Sequence, residues 1–249
     1  MIKNILKGIK TYGGTLKLIA QLKLWKYFLI PIAISLVTAV LIGYIAYGLS
    51  DTIGVFIAKL WVWEWGKENF TKISTFIGGA SILIIGLILY KHIVMALSAP
   101  FMSPVSEKIE AHLTGTTKHE HRITSFKEQL WRGIRINIRN LTKELFFTVL
   151  LLIIGLIPVI GFFASILIFL VQAYYAGFGN IDYTLERHYK YNESINFVRK
   201  NKGITIGNGI VFMLFLFIPI VGIILVLPLS VTAATVNTLH LIEETKRIT

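Results

Sequence analysis

Two stretches of this chain, residues 145–181 and 203–242, contain no Asp, Glu, Lys or Arg. Each is broken near its middle by a similar tetrapeptide, Pro158-Val159-Ile160-Gly161 in one and Pro219-Ile220-Val221-Gly222 in the other. A soluble helix needs a polar face, so charge-free runs of this length belong in lipid. One complete span takes about 20 apolar residues, and two spans with a turn need more than about 40. The arms ahead of the prolines, 145–157 and 203–218, are short. At about 1.5 Å per residue the first rises roughly 20 Å, against a hydrocarbon core about 30 Å thick. Proline removes a backbone donor and glycine permits a tight reversal. The pattern predicts two helical hairpins that enter the membrane and turn back inside it, with Pro158, Gly161, Pro219 and Gly222 at their tips.

Composition agrees with a polytopic membrane protein. The chain of 249 residues is 55% hydrophobic and 15% charged, with a mean hydropathy of +0.70. Its longest polar stretch, 107–144, is too small for a separate soluble domain. Without cysteine there is no disulfide and no thiolate metal site. Residues 27–50 are too long for the apolar region of a signal peptide and lack a small-x-small cleavage site.

The net charge of +12 is unevenly placed. Residues 1–26 hold six lysines and no acid, 107–144 carry eight basic residues against five acidic, and 182–202 carry five against three. The 51–72 segment is balanced. The positive-inside rule therefore puts both termini and the basic segments in the cytoplasm and only the 51–72 loop outside. The basic excess points to anionic lipid, not to nucleic acid.

Residues 2–20 read as an amphipathic surface helix, with Ile2, Ile5, Leu6, Ile9, Leu16 and Ile19 on one side and Lys3, Lys7, Lys10 and Lys17 on another. Residues 27–50 form the first span, and Trp61, Trp63 and Trp65 an interfacial aromatic belt. The second span starts near Ile73 and extends past Lys91-His92 towards Pro100. In 127–144 an apolar stripe (Leu130, Ile134, Ile138, Leu141, Leu145) lies opposite Arg132, Arg135, Arg139 and Lys143. Such a basic stripe touches lipid phosphates, or else Arg132, Arg135 and Arg139 form a vestibule that concentrates anions at a pore mouth. Residues 182–202 read as another short surface helix. The tip sequences at 156–161 and 217–222 are alike enough to suggest an internal repeat.

No catalytic constellation stands out, so the expectation is a protein that is not an enzyme and carries neither cofactor nor metal. Gly78-Gly79 lies in apolar sequence with no lysine following it as a phosphate loop requires. His119-Glu120-His121 sits in a polar loop and reads as solvated. Lys91-His92 interrupts an apolar helix; snorkelling to the cytoplasmic interface is the simpler reading, and a bundle interior the alternative.

Several segments together resemble the CysZ family of bacterial inner-membrane sulfate permeases. They are Ala99-Pro100-Phe101 followed by the stretch from Glu107 through Glu110 and Ala111 to Leu113-Thr114-Gly115, and then Ile157-Pro158-Val159-Ile160-Gly161. Asp182-Tyr183 with His188, and Ile218-Pro219, Leu227-Pro228 and Ala233-Ala234-Thr235, complete the series in order. The resemblance implies two transmembrane helices plus two half-inserted hairpins, assembled as a homo-oligomer that admits sulfate for cysteine synthesis. It also implies an anion-binding loop at Lys23, Leu24, Trp25 and Lys26, where the family pattern carries a glycine and two arginines. Here Lys23 replaces the glycine and Trp25 the first arginine. Lysine attracts an anion as a point charge without arginine's bidentate fork.

The expected fold class is an all-α membrane protein, with two long transmembrane helices, two half-inserted hairpins and amphipathic surface helices in a single integral membrane domain over 1–249. Within it lie an N-terminal helix and loop (1–26), two long spans (27–106), a basic cytoplasmic segment (107–144), hairpin 1 (145–181), a surface helix (182–202) and hairpin 2 (203–242). Polar groups such as Asn180 would line the path of a small oxyanion. The alternatives are a non-transporting membrane scaffold of the same fold and a six-span protein with ordinary hairpins.

Overall fold

The computed structural model describes residues 1–59, 67–115, 122, 124–155, 157, 160–218 and 221–248, with no side chains described at 53, 54, 57, 58, 67–84, 221, 223 and 248. The tryptophan belt, the His119-Glu120-His121 loop and the tip residues Pro158 and Pro219 lie outside the described residues. The described part is α-helical apart from a 3₁₀ turn and short connections. In chain order it forms α1 (Ile2–Lys10), the 3₁₀ turn (Thr11–Gly14), α2 (Thr15–Gln21), α3 (Trp25–Ala58), α4 (Lys67–Thr114) and α5 (Phe126–Gly155). After these come α6 (Ile160–His188), α7 (Tyr191–Lys200), α8 (Lys202–Leu216) and α9 (Val221–Ile248). Among the described residues, four helical segments are long and apolar enough to cross a membrane: Trp25–Thr52, Ile85–Thr114, Ile160–His188 and Ile224–Arg247.

The long helices pair antiparallel. On α3 and α4, Tyr27 meets Lys108, and Gly86 lies against Ile42. Helix α4 passes through both Pro100 and Pro104 and ends at Thr114. Pro100 leaves the Ala96 carbonyl without its helical donor. There α5 comes close, with Gly133 packed on Ala96 and Ala99. Pairs α5–α6 and α8–α9 form the two hairpins, closed at Gly155 against Gly161 and at Gly222 against Phe215 and Leu216.

Two of the boundaries read from charge fall inside helices. The break drawn at 144/145 lies within α5 and that at 181/182 within α6. Helix α5 begins with a capping box: Ser125 Oγ accepts the Glu128 amide at 3.3 Å and Glu128 Oε2 accepts the Ser125 amide at 3.1 Å. That backbone hydrogen bond, with Arg122 alongside, holds the Glu128 carboxyl below its ordinary range. From this start the helix continues unbroken into the apolar arm.

Helix α5 buries neither of the faces its periodicity predicts: of the apolar stripe, Leu130, Ile134 and Leu141 are half-buried and Ile138 and Leu145 exposed. Its buried residues are Gly133, Ile136, Asn137, Asn140, Glu144 and Thr148, while Trp131, Ile138, Phe146 and Ile153 are exposed. In water this would be inside-out; in lipid it is the stable arrangement, since hydrocarbon solvates the apolar face and the bundle satisfies the polar one. Helix α8 is held between two neighbours by small residues, Gly203 and Gly207 against α1 and Thr205 and Gly209 against Ala173 and Gly177 of α6. Helix α1 docks through Gly8 and leaves Ile2, Leu6, Lys3 and Lys7 exposed. The first surface helix is thus anchored to protein along one edge only.

Candidate functional site

Charge at helical depth is concentrated in the interior. Lys91 and His92 do not snorkel: both are buried, on the face of α4 turned to α5. Lys91 Nζ lies 2.6 Å from Glu144 Oε1, and His92 Nε2 lies 3.0 Å from Glu144 Oε2. His92 Nδ1 is 3.2 Å from Asn137 Oδ1, and the Asn137 amide donates to the Gly133 carbonyl at 2.9 Å. Lys91 also lines a cavity of about 220 Å³ with Gln172 and Met213.

A second network joins α4 to the buried end of α6. Arg187 donates to Glu110 Oε2 and to Ser106 Oγ, each at 2.9 Å, and His188 Nε2 lies 2.9 Å from Glu110 Oε1. Ser103 donates to Glu186, and Ser106, Thr184 and Thr235 make a chain of hydroxyls at 2.8 and 3.1 Å. Asn180, expected in a polar path, is fully buried and donates to Asn208 at 3.4 Å. Its Oδ1 has no hydrogen-bond partner among the described residues.

Of the vestibule arginines, Arg132 and Arg135 stay together at one cavity and Arg139 does not join them. Arg132 forms a bidentate pair with Asp182 at 2.8 and 3.0 Å and also donates to Ser194 and the Tyr189 carbonyl. It is spent on tying α5 to α6 and α7. Arg135 stacks 4.0 Å from the Tyr191 ring centroid, and the two share a cavity of about 270 Å³ with Arg122, Arg132 and Lys190 and with the carboxylates Glu128 and Glu186. Arg139 opens onto a different cleft.

The loop at 22–26 has a definite architecture. Lys23 has φ of 51°, the left-handed region that favours glycine. The Lys23 amide donates to Ala20 O and the Leu24 amide to Ile19 O, at 3.1 and 3.0 Å. This is a Schellman motif closing α2, with its usual apolar contact between Ile19 and Leu24, both fully buried. The backbone shape that a glycine would provide is therefore kept by lysine, but the amides of residues 23 and 24 are already bonded. What the turn presents is the start of α3, where the first amides of a helix lack intrahelical acceptors. Trp25 lies there half-exposed, with its ring edge on Phe28. Lys26 and Lys108 converge on the Tyr27 ring, 5.3 and 4.8 Å from its centroid. Lys108 comes from α4, and only the fold brings it to this turn. A helix N-terminus flanked by two ammonium groups can hold a small anion.

A family model described as Sulfate transporter CysZ/Etoposide-induced protein 2.4 matches residues 12–227. A Pseudomonas paraeruginosa protein named Sulfate transporter CysZ is 28% identical over 235 residues, covering 92% of this chain and 93% of the relative. One of the same name from Pseudomonas aeruginosa is 27% identical with the same coverage. A third, from Pectobacterium atrosepticum, is 28% identical over 157 residues, covering 62% of this chain and 57% of its own. The matched span takes in the α2–α3 turn, the interior ion pairs and both hairpin turns, and the chain belongs to the sulfate transporter CysZ/etoposide-induced protein 2.4 family.

Proposed function

We propose that the protein is a permease for a small oxyanion, sulfate by the names its relatives carry, in a bacterial inner membrane. One observation carries this reading most directly: charged and hydroxyl-bearing side chains are packed inside a bundle whose outer faces are apolar. Ionisable groups at depth in a bundle commonly mark a pathway. The bound anion would sit at the start of α3, with Lys26 and Lys108 as its cationic partners and Lys23 beside them. Both termini would face the cytoplasm, lipid would cover the outer faces, and copies of the chain would assemble as a homo-oligomer.

The hairpins would be half-inserted. The outward-facing part of α6 is its beginning, where Phe162, Phe163, Ile166 and Leu167 are exposed, whereas 173 and 175–187 are buried within protein. Although α6 as a whole is long enough to cross, its part that is exposed or half-buried apart from Ala164, 160–172, rises only about 20 Å, short of a bilayer. The chain has no native cysteine, so Ile160→Cys and Ile218→Cys are single labelling sites. Neither should react with a membrane-impermeant maleimide added from the periplasmic side. Full labelling from that side would mean that the tips cross.

Transport is tested by reconstituting the protein in liposomes and following radiolabelled sulfate. Uptake should exceed that of empty vesicles, and equality with them would reject sulfate as cargo. Lys26→Ala and Lys108→Ala should each weaken sulfate binding about two- to fivefold, the range of exposed charge pairs, and the difference should shrink at high salt. A scaffold without transport is the second reading. It draws on the pairing of interior cations: Lys91, Arg132 and Arg187 each face a carboxylate, so among the described residues these interior cations leave no surplus positive lane.

A further inference from the structure

We propose that the cleft between α5, α6 and α8 binds an anionic phospholipid through its phosphate headgroup. The cleft has a volume of about 420 Å³. Arg139, Lys143, Arg199 and Lys202 line it, and no carboxylate does. Two separate parts of the sequence supply these cations. Arg139 and Lys143 are one turn apart on α5, and Arg199 and Lys202 flank the junction of α7 and α8.

Their charge is not spent elsewhere in the protein. Lys143, Arg199 and Lys202 have no carboxylate partner among the described residues. Arg139 lies 5.3 Å from the Phe178 ring centroid and donates to Asn140 Oδ1, a neutral partner. Glu144, next in sequence to Lys143, has its two oxygens on Lys91 and His92 instead. Four like charges around one cleft repel each other, and an anion between them removes that cost.

The shape of the cleft selects a lipid over a free ion. Its remaining walls are mainly apolar, and Phe147 and Leu167 are both lining and exposed, so the cleft opens onto the face read above as lipid-covered. A phosphate held at the cationic rim would leave its acyl chains against these residues. Sulfate or inorganic phosphate would use only the rim. Basic pockets between helices near the cytoplasmic interface hold lipid headgroups by this combination of charge and apolar wall. The site is separate from the start of α3 and does not depend on the identity of any cargo.

The test uses the whole protein, delipidated in mild detergent. Phosphatidylglycerol and phosphatidylcholine with identical acyl chains are titrated in, with adducts counted by native mass spectrometry and thermal midpoints followed in parallel. Phosphatidylglycerol should give a saturable adduct and raise the midpoint, and phosphatidylcholine should do neither at the same concentration. Arg199→Gln with Lys202→Gln should weaken the phosphatidylglycerol adduct roughly 25-fold, about fivefold for each juxtamembrane charge removed. The control pair Lys127→Gln with Lys246→Gln should leave it unchanged. Equal binding of the two lipids by the wild-type protein would overturn the proposal without recourse to any variant. So would inorganic phosphate or sulfate raising the midpoint as far as phosphatidylglycerol does, or the two double variants behaving alike.

Discussion

Replacing Glu144 with leucine should lower the thermal midpoint of the purified protein by on the order of 10 °C. The carboxylate is fully buried and serves two partners, Lys91 at 2.6 Å and His92 at 3.0 Å. Removing one member of a buried ion pair costs about 3–5 kcal/mol, because the remaining charge is left in a medium of low dielectric constant. For a chain of this length each kcal/mol moves the midpoint by about 2–4 °C. Replacing both partners, Lys91→Met with Glu144→Leu, should recover most of the loss, since the double change removes the stranded charge along with the attraction. A single variant that melts within a degree or two of wild type would show that the pair is not formed in the membrane-embedded protein. A double variant no better than the single would place the cost in packing, not in charge.

Gly177→Ala and Gly209→Ala should each destabilise the protein by about 3 kcal/mol, the upper part of the range for overpacking a core. A methyl group at Gly177 would fall on the Thr205 carbonyl, and one at Gly209 on the Ala173 carbonyl. Both obstacles are backbone, so relief requires α6 and α8 to separate, and the buried end of α6 carries Asp182, Glu186 and Arg187. Loss of monodisperse protein on size exclusion is the expected readout, with melting as the quantitative one. Gly48→Ala is the control: nothing lies within 4 Å of the added methyl, and alanine is favoured over glycine in a helix by about 1 kcal/mol. Equal behaviour of the three variants would remove the α6–α8 crossing from the account of stability.

The membrane character of the chain was legible in its composition because transfer of apolar side chains depends little on neighbours. The chain reverses between α5 and α6 and between α8 and α9, with Gly161 and Gly222 packed close at the turns, while Pro158 and Pro219 lie outside the described residues. A useful signal lay unread in α8, where Gly203, Gly207 and Gly209 mark two close helix contacts. The reading of α5 shows where periodicity runs out. Its pattern sets an apolar stripe opposite Arg132, Arg135, Arg139 and Lys143, but the face that meets the protein lies between the two. Packing against α4 and α6 turns Asn137, Asn140 and Glu144 inward and Ile138 outward. Lys91-His92 poses the same problem, because snorkelling and burial differ only in whether a partner exists. That partner, Glu144, lies 53 residues away in sequence from Lys91.

Local chemistry thus decided the solvent, the helices and the turn positions of this protein. It also included the Schellman turn at Lys23, whose hydrogen bonds join residues three and five apart. Tertiary structure alone decided which charges are neutralised and which remain available. It paired Arg132 with Asp182 and Arg187 with Glu110, brought Lys108 to Lys26, and gathered Arg139, Lys143, Arg199 and Lys202 around one cleft. The reason is physical: the free energy of a charge is set by its distance to other charges and by the medium between them, and neither quantity exists until the helices pack.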